Sequence, residues 1–412
     1  MARIALLFYR VIGSLIVLPL CFLLRKHPNF QGTLLQRIAL KLPKVPLGRD
    51  VLWIHAASVG EVKAVSGLIR SIREKSPGLY ICMSCMTATG RQVAFDMKGV
   101  DLVFPMPFDI AWVMRRYLLS FLPRAVLIVE TEIWPNMLIE AGKLSVPVIF
   151  VNARMSLGAF ERYRRFKPLF RHILSGTRVL AMARQDADRF AGIGAQDVQV
   201  LGNLKLDHVA AGDSARADAM RRELGIGRRP VFIAGSVREG EEQHVVDAII
   251  RIAASVPDLY SIMAPRHPDR ISFIRDMAQG LNIRWALKSA AASDIDLLIV
   301  DTMGELFTLY GMSDVAFVGG SLVDLGGQNI LEPVAWGVPT LHGPFMSNFS
   351  WALDAVEGHT TVVRNSRELA STVVDMLIDR DASRARGLKA REALLISSGV
   401  TQRYVSALEA YL

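Results

Sequence analysis

From residue 51 onward the chain alternates short apolar runs with longer stretches whose apolar positions recur at helical spacing. The runs are Val51 to Ala56, Tyr80 to Met86, Leu102 to Phe104, Ala125 to Val129, Val146 to Val151 and Arg178 to Ala183. Each is followed by Gly, Pro or polar punctuation and then by a helix-length segment, the rhythm of βαβ units around a parallel sheet. This predicts a first α/β domain over 51–205. The polar stretch 206–229 has no strand signal and reads as a linker. A second series, Val231 to Ala234, Tyr260 to Ala264, Leu297 to Val300, Val315 to Val318 and Val338 to Leu341, predicts a second doubly wound domain over 230–382. The last helical pattern, 383–412, is a candidate to pack back across both. Two such domains facing each other leave a cleft at the carboxyl ends of their strands, where ligands are expected.

The first fifty residues follow a different pattern. Ile4 to Leu24 is almost wholly apolar, broken by Tyr9, Arg10, Gly13, Ser14 and Pro19, and ends at Arg25-Lys26. The uninterrupted part, Val11 to Leu24, would be only about 21 Å long as a helix, against a hydrocarbon core of about 30 Å. Counting from Ile4 gives length enough for a single anchor if Arg10 snorkels to an interface. A cleaved signal peptide would need a small-residue cleavage site where Arg25, Lys26, His27 and Pro28 stand; a buried core helix would not need the flanking charge. Six basic residues after the run against two before it place the body on the cytoplasmic side. Beyond it, Leu34, Leu35, Ile38 and Leu42 recur at helical spacing among Arg37, Lys41 and Lys44. A helix lying on an anionic membrane and an ordinary amphipathic surface helix both fit that pattern.

Composition sharpens this division. The chain of 412 residues is 51% hydrophobic and carries a net charge of +9, but residues 1–50 hold +7 of it and 51–412 only +2. A nearly neutral body argues against a nucleic-acid protein, which needs a basic face on the folded domain. Cys21, Cys82 and Cys85 cannot form a disulfide scaffold and fit a reducing compartment. Cys82 and Cys85 have redox-motif spacing, but inside a strand they face opposite sides of the sheet.

The chemistry-bearing residues cluster after the predicted strands. The first run leads into His55-Ala56-Ala57-Ser58-Val59-Gly60-Glu61. Glu61 at the mouth of the sheet is a candidate general base, or equally an acid favoured in the first turn of a helix; His55 is either a packing residue or a ligand contact. Thr87-Ala88-Thr89-Gly90 makes another polar turn at the same sheet edge. Glu130 and Glu132 leave a strand end together, which is costly unless cations or substrate donors meet them; the alternative is an acidic turn capping the Pro135-started helix. In the second domain, Ser236 and Arg238 can offer a hydroxyl, backbone N–H groups and a guanidinium to a phosphate. Arg266 adds a cation. Gly319-Gly320-Ser321 and Gly326-Gly327 supply close-approach glycines, followed by a helix N-terminus bearing Asn329 and then Glu332. Neither GxGxxG nor GxxxxGK[ST] is present, so hydride transfer and P-loop chemistry lack their fingerprints. Asp294-Ile295-Asp296 precedes a strand instead of following it and reads as a solvated turn, not a metal clamp. No His/Cys cluster indicates a metal, so a leaving phosphate is expected to be stabilised by a helix dipole and cations.

Taken in order, HAASVGE (55–61), MTATG (86–90), PFD (107–109), VETEIWPN (129–136), VNAR (151–154), GNLKLD (202–207), the Ser236 turn, APRHPDR (264–270), VGGS (318–321), GGQNILEP (326–333) and GPFMSNF (343–349) resemble the 3-deoxy-D-manno-octulosonic acid (Kdo) transferases of lipopolysaccharide assembly. The resemblance covers nearly the whole chain. It implies the GT-B fold, two Rossmann-like doubly wound domains facing a cleft, with an N-terminal anchor helix at the cytoplasmic face of a bacterial inner membrane. It also implies inverting transfer of Kdo from CMP-Kdo to a lipid A precursor, without metal or cofactor. By the same resemblance, Glu61 is the general base and Glu130 and Lys205 stabilise the transition state. CMP contacts fall on Pro265, Arg266, Met303, Gly304, Glu305, Asn329, Ile330, Leu331 and Glu332, to which the phosphate argument adds Ser236 and Arg238. The rivals are another GT-B enzyme, such as a nucleotide-sugar 2-epimerase or a lipid-linked N-acetylglucosaminyltransferase, and a catalytically silent scaffold that recruits partners to a membrane.

Overall fold

The computed structural model describes all residues except 1–5, 7, 8, 17, 18, 20–22, 24, 25, 209–212, 282, 291–293 and 357. The chain divides into two compact units, Met1–His208 with Gly399–Leu412, and Val209–Ser398.

In the first unit the strands are β1 (Val51–His55), β2 (Tyr80–Cys85), β3 (Leu102–Pro105), β4 (Ala125–Val129), β5 (Val148–Ala153), β6 (Thr177–Ala181) and β7 (Asp197–Val200). They form one seven-stranded sheet in the order β3-β2-β1-β4-β5-β6-β7, with all pairs parallel. The central strands β1, β4 and β5 are buried on both faces, which is why they read as unbroken apolar runs. Trp53 pairs with Cys82 on one side and Val126 on the other, and its ring sits within 6.0 Å of those of Phe104, Tyr117 and Phe121. Cys82 and Cys85 are free thiols in β2, and burial pushes both up to about 12, so neither is a nucleophile at neutral pH.

The second unit holds β8 (Val231–Val237), β9 (Tyr260–Pro265), β10 (Trp285–Leu287), β11 (Leu297–Ile299), β12 (Val315–Val318), β13 (Thr340–His342) and β14 (Thr361–Val362), again all parallel, in the order β10-β11-β9-β8-β12-β13-β14. Phe232, Phe317 and Leu341 fill the core on one face of this sheet; Ile233, Tyr260 and Tyr310 fill the other. In both sheets the order reverses beside the first strand, between β1 and β4 and between β8 and β12. Such a switch point opens a crevice at the carboxyl ends of those strands.

Several expectations change. Within the stretch expected as a linker, Ser214–Glu223 is a helix capped by Asp213, and its Ala217 and Met220 are buried in the second unit. The terminal helical pattern is two helices, Arg380–Ser397 and Val400–Ala407, broken at Gly399 with φ +74°. The later one belongs to the first unit, where Asp207 accepts the backbone N–H groups of Gly399, Val400 and Thr401.

The largest correction concerns the basic amino-terminal segment. Its helix is only Leu34–Arg37, and Arg37 faces inward, fully buried, donating to the carbonyls of Met86, Met106 and Asn29 at 2.8, 2.8 and 3.1 Å. Ile38 and Leu42 pack against the core of the first unit, so these positions are not a membrane-facing stripe. Arg10 does not reach for an interface either: it pairs with buried Glu140 at 2.6 Å and donates to Asn136. Much of Ile4 to Leu24, the stretch expected as an anchor, lies outside the described residues. Among the described residues no helix is long and apolar enough to cross a membrane.

Candidate functional site

The first unit builds a carboxylate cluster at its switch point. Glu61 lies just after β1, in the helix Val59–Ala64, and Glu130 and Glu132 lie just after β4. Ser58 caps the helix by accepting the Glu61 N–H, while Glu61 reaches back to accept from the Ala57 N–H at 2.7 Å and the Ser58 hydroxyl at 2.9 Å. This is a reciprocal capping box. Both readings of Glu61 therefore meet in one side chain, a cap that is also an unusual acid. Burial pushes the Glu61 carboxyl up to about 7; the charges of Glu130 and Glu132 add to that, and the Ala57 and Ser58 donors oppose it. Burial and Glu130 likewise raise Glu132.

The turn that carries the other two carboxylates is not a cap. The helix Pro135–Lys143 receives no cap from Trp134. Its first N–H groups, on Asn136 and Met137, donate instead to Asp109 at 2.9 and 2.8 Å. Glu130 also sits at φ +61°, a left-handed conformation that costs a non-glycine residue about 1–2 kcal/mol. The turn is held by the Thr131 hydroxyl on the Arg154 carbonyl and the Glu130 N–H on the Val151 carbonyl, while its two carboxylates are left without a capping duty.

His55 is fully buried at the end of β1. Its Nδ1 lies 3.1 Å from the Ser84 carbonyl and 3.0 Å from the Ser84 hydroxyl, so it can donate to the one or accept from the other. Burial lowers its pKa to about 4, leaving the ring neutral. The Nε2 finds no hydrogen-bond partner among the described residues, and neither does Nε1 of Trp134, whose ring meets His55 edge-on at 6.2 Å. Lys205 stands exposed on the short turn Leu204–His208 after β7. The turn is pinned by Asn152 (φ +52°), which accepts the Leu204 N–H, and by Asn203, which accepts that of Lys205.

The second unit has its own switch-point site. Ser236 bulges out of β8 at φ +55°, and Arg238 follows. The Nε of Arg238 is buried with no partner among the described residues, a charged donor waiting for an acceptor. Pro265 ends β9 and Arg266 is exposed beside it. Burial raises the carboxyl of Glu332, opposed by the Asn329 hydrogen bond and by the charge of Arg266. Asn329 donates to Glu332 at 3.3 Å and accepts from the Leu331 N–H. Ile330 and Leu331 are buried in the core, so they can offer a ligand only their backbone. The helix there, Leu331–Ala335, is barely more than one turn, which leaves little of the expected dipole. Met303 is exposed and Gly304 takes φ +86°. Glu305 pairs with Lys288 at 2.9 Å and with the Thr302 hydroxyl, and these outweigh its burial to hold the carboxyl below its usual range.

Residues 33–208 match the family described as 3-deoxy-D-manno-octulosonic-acid transferase (kdotransferase). A 3-deoxy-D-manno-octulosonic acid transferase of Bordetella pertussis is 33% identical over 89% of this chain and 88% of its own length. One of Haemophilus influenzae is 31% identical over 88% and 87%. The chain belongs to the Kdo transferase family. Among solved structures, a glycosyltransferase of Rickettsia africae (TM-score 0.60, 13% identity, 88% of this chain and 98% of that one) and a UDP-GlcNAc 2-epimerase of Neisseria meningitidis (TM-score 0.60, 14% identity, 87% and 99%) share its fold.

Within this Kdo transferase family member, Glu61 and Glu130 form one cluster, and Arg266, Asn329 and Glu332 another. Two structural residues escaped the sequence reading. The glycines and serine of 319–321 were expected to approach a ligand, but buried Glu241 accepts the N–H groups of Gly320, Ser321, Leu322 and Arg238, so those donors are already engaged. In the same APRHPDR motif, Arg270 is paired with buried Glu242 at 2.7 Å. Asp294 and Asp296 are held by Arg284, and Asp296 also by Arg229. Among the described residues no group of three or more His, Cys, Asp or Glu is placed to hold a metal ion.

Proposed function

We propose that the chain transfers Kdo from CMP-Kdo to a hydroxyl of a lipid A precursor, with inversion and with Glu61 as general base. Glu61 takes the proton of the acceptor hydroxyl as that oxygen bonds to the anomeric carbon; the bond from that carbon to the CMP phosphate breaks, and CMP leaves. A base must be ionised near neutral pH yet hold a proton well, and a carboxyl pushed up to about 7 meets both needs. Glu130 and Lys205 act in this reading on the charge that develops at the reacting carbon, and buried His55 packs at the end of β1.

The CMP moiety is assigned to the second unit. Arg238 and Arg266 take the phosphate, Ser236 adds a hydroxyl, Glu332 and Asn329 take the ribose, and Pro265, Met303 to Glu305 and the Ile330 and Leu331 backbone complete the surroundings. No step in this scheme calls for a metal or cofactor. An amino-terminal membrane contact within residues 4–24, holding the body at the cytoplasmic face of a bacterial inner membrane, belongs to the same proposal and is supported by the flanking basic residues; with Arg10 held by Glu140, the stretch left for it, Val11 to Leu24, dips into the bilayer instead of spanning it.

The observation that carries the reading is the carboxylate cluster at the β1/β4 switch point, in which Glu130 and Glu132, neither of them a helix cap, raise the proton affinity of Glu61. A catalytically silent scaffold would not need it. The test is release of CMP by the purified chain given CMP-Kdo and a tetraacylated lipid A precursor, with mass spectrometry of the lipid. Release with a Kdo-bearing lipid supports the proposal; an intact fold that releases no CMP overturns it.

A further inference from the structure

An apolar cavity of about 410 Å³ opens in the first unit at the start of the helix that follows the Glu130–Trp134 turn. Its walls include Leu6 and Tyr9 from the amino-terminal segment, Pro135, Tyr163 from the helix Leu157–Arg164, Leu169 and Phe170 from the helix Lys167–Ile173, and Phe166 between those two helices. Two observations tie it to the site. Pro135 is three residues from Glu132, in the same turn, and the Tyr163 hydroxyl, raised first by burial, is raised further by the charge of Glu132. A third gives its mouth a chemical character. Arg162 lines the cavity, and the two helices also expose Arg164, Arg165 (between them), Lys167 and Arg171, with Glu161 as their one acid. Phe166, at 60% exposure, is an aromatic side chain left on the surface among these cations.

A nucleotide or sugar would be desolvated against these walls with almost nothing to bond. A basic, aromatic rim around an apolar hole matches a molecule that is anionic at one end and aliphatic at the other. We propose that this cavity takes one acyl chain of the phosphorylated lipid acceptor, with Arg162 and its basic neighbours on the phosphate, so that the chain's depth sets which hydroxyl reaches the carboxylates. The proposal rests on the functional reading above. Each buried methylene should then contribute about fourfold in apparent affinity.

The experiment uses the full-length protein, a tetraacyl lipid A precursor carrying a diazirine on one acyl chain, and its fully deacylated counterpart. Photolysis should label residues within 157–173, and unlabelled acceptor should compete. Leu169→Trp, which fills the cavity, should cut labelling and raise KM for the acylated acceptor about tenfold while leaving kcat/KM for the deacylated acceptor unchanged. Arg162→Glu should also raise KM for the acylated acceptor. Labelling elsewhere, equal loss on both acceptors, or equal labelling by a diazirine phosphatidylglycerol would each overturn the assignment, the last by making the patch a general membrane contact. Competed labelling at 157–173 without any CMP release from wild type would sustain the cavity and sink the functional reading, so the two can fail separately.

Discussion

Asp109 accepts the backbone N–H of Asn136 at 2.9 Å. Because it also accepts from Met137, the helix that follows the Glu130–Trp134 turn is capped from another segment, and the turn's own carboxylates are released from that duty. Their closeness to Glu61 then has a chemical consequence instead of a structural one, since each negative charge raises the proton affinity of the next.

Replacing Glu61 tests that consequence. Glu61→Gln keeps the shape of the cap but cannot take a proton, and turnover should fall roughly 100-fold or more while CMP still binds. In wild type, kcat/KM should rise with pH through about 7, because the base must be ionised to act. Stability should move the other way. The folded carboxyl lies above its usual 4.5, so its ionisation costs the folded state more as pH rises from about 4.5 to about 7. Glu61→Gln should flatten both slopes; steady-state kinetics and urea unfolding across that range decide it, and a near-normal turnover would reject Glu61 as base.

Arg238 offers a buried Nε with no acceptor among the described residues. If a phosphate completes it, Arg238→Ala should weaken CMP binding by roughly 10- to 100-fold, the size of a charge-assisted hydrogen bond. Arg238→Lys should restore little, because a lysine ammonium does not present the planar fork. Calorimetric titration with CMP is the measurement, and unchanged affinity in the alanine variant would remove Arg238 from the donor site.

Glu241 makes a separate prediction about the same loop. Its side chain gathers four backbone N–H groups from 238 and 320–322. Glu241→Ala strands them, at a cost of at least about 3 kcal/mol. Urea unfolding should show it, with Glu241→Gln intermediate; a neutral alanine variant would mean that water replaces the carboxylate freely.

The strands were legible in the sequence because the central strands of a parallel sheet are buried on both faces and leave unbroken apolar runs. The ones it hid are at or near the sheet edges: β7 is mostly exposed, β10 has three residues and β14 two. The carboxylate cluster was legible too, since Glu61, Glu130 and Glu132 follow strands that themselves announced the sheet. Arg37, Glu241 and Asp109 were not, because each is held by backbone groups or donors brought from elsewhere in the chain, and a charge run looks the same whether its members face water or carbonyls. Arg37 thus fitted a membrane-facing helix and an ordinary surface helix alike.

The burial of Arg37 fixes where the amino terminus divides. Residues 29–42 are part of the first unit: Arg37 satisfies three carbonyls, Asn29 accepts the Ala88 N–H, and Tyr117 donates to the Gln36 carbonyl at 2.8 Å. Deleting residues 1–49 should therefore unfold the first unit, and Arg37→Leu alone should cost about 3 kcal/mol by stranding those carbonyls. Deleting only residues 1–25 removes the Arg10 pair, yet Glu140 keeps Lys143 at 2.7 Å and Arg115, so the fold and CMP binding should survive. Binding to anionic vesicles should fall in that shorter truncation, along with its sensitivity to salt. Circular dichroism, CMP titration and vesicle sedimentation on the two truncations separate the roles; a folded 50–412 fragment would show that Arg37 and its neighbours are dispensable to the core.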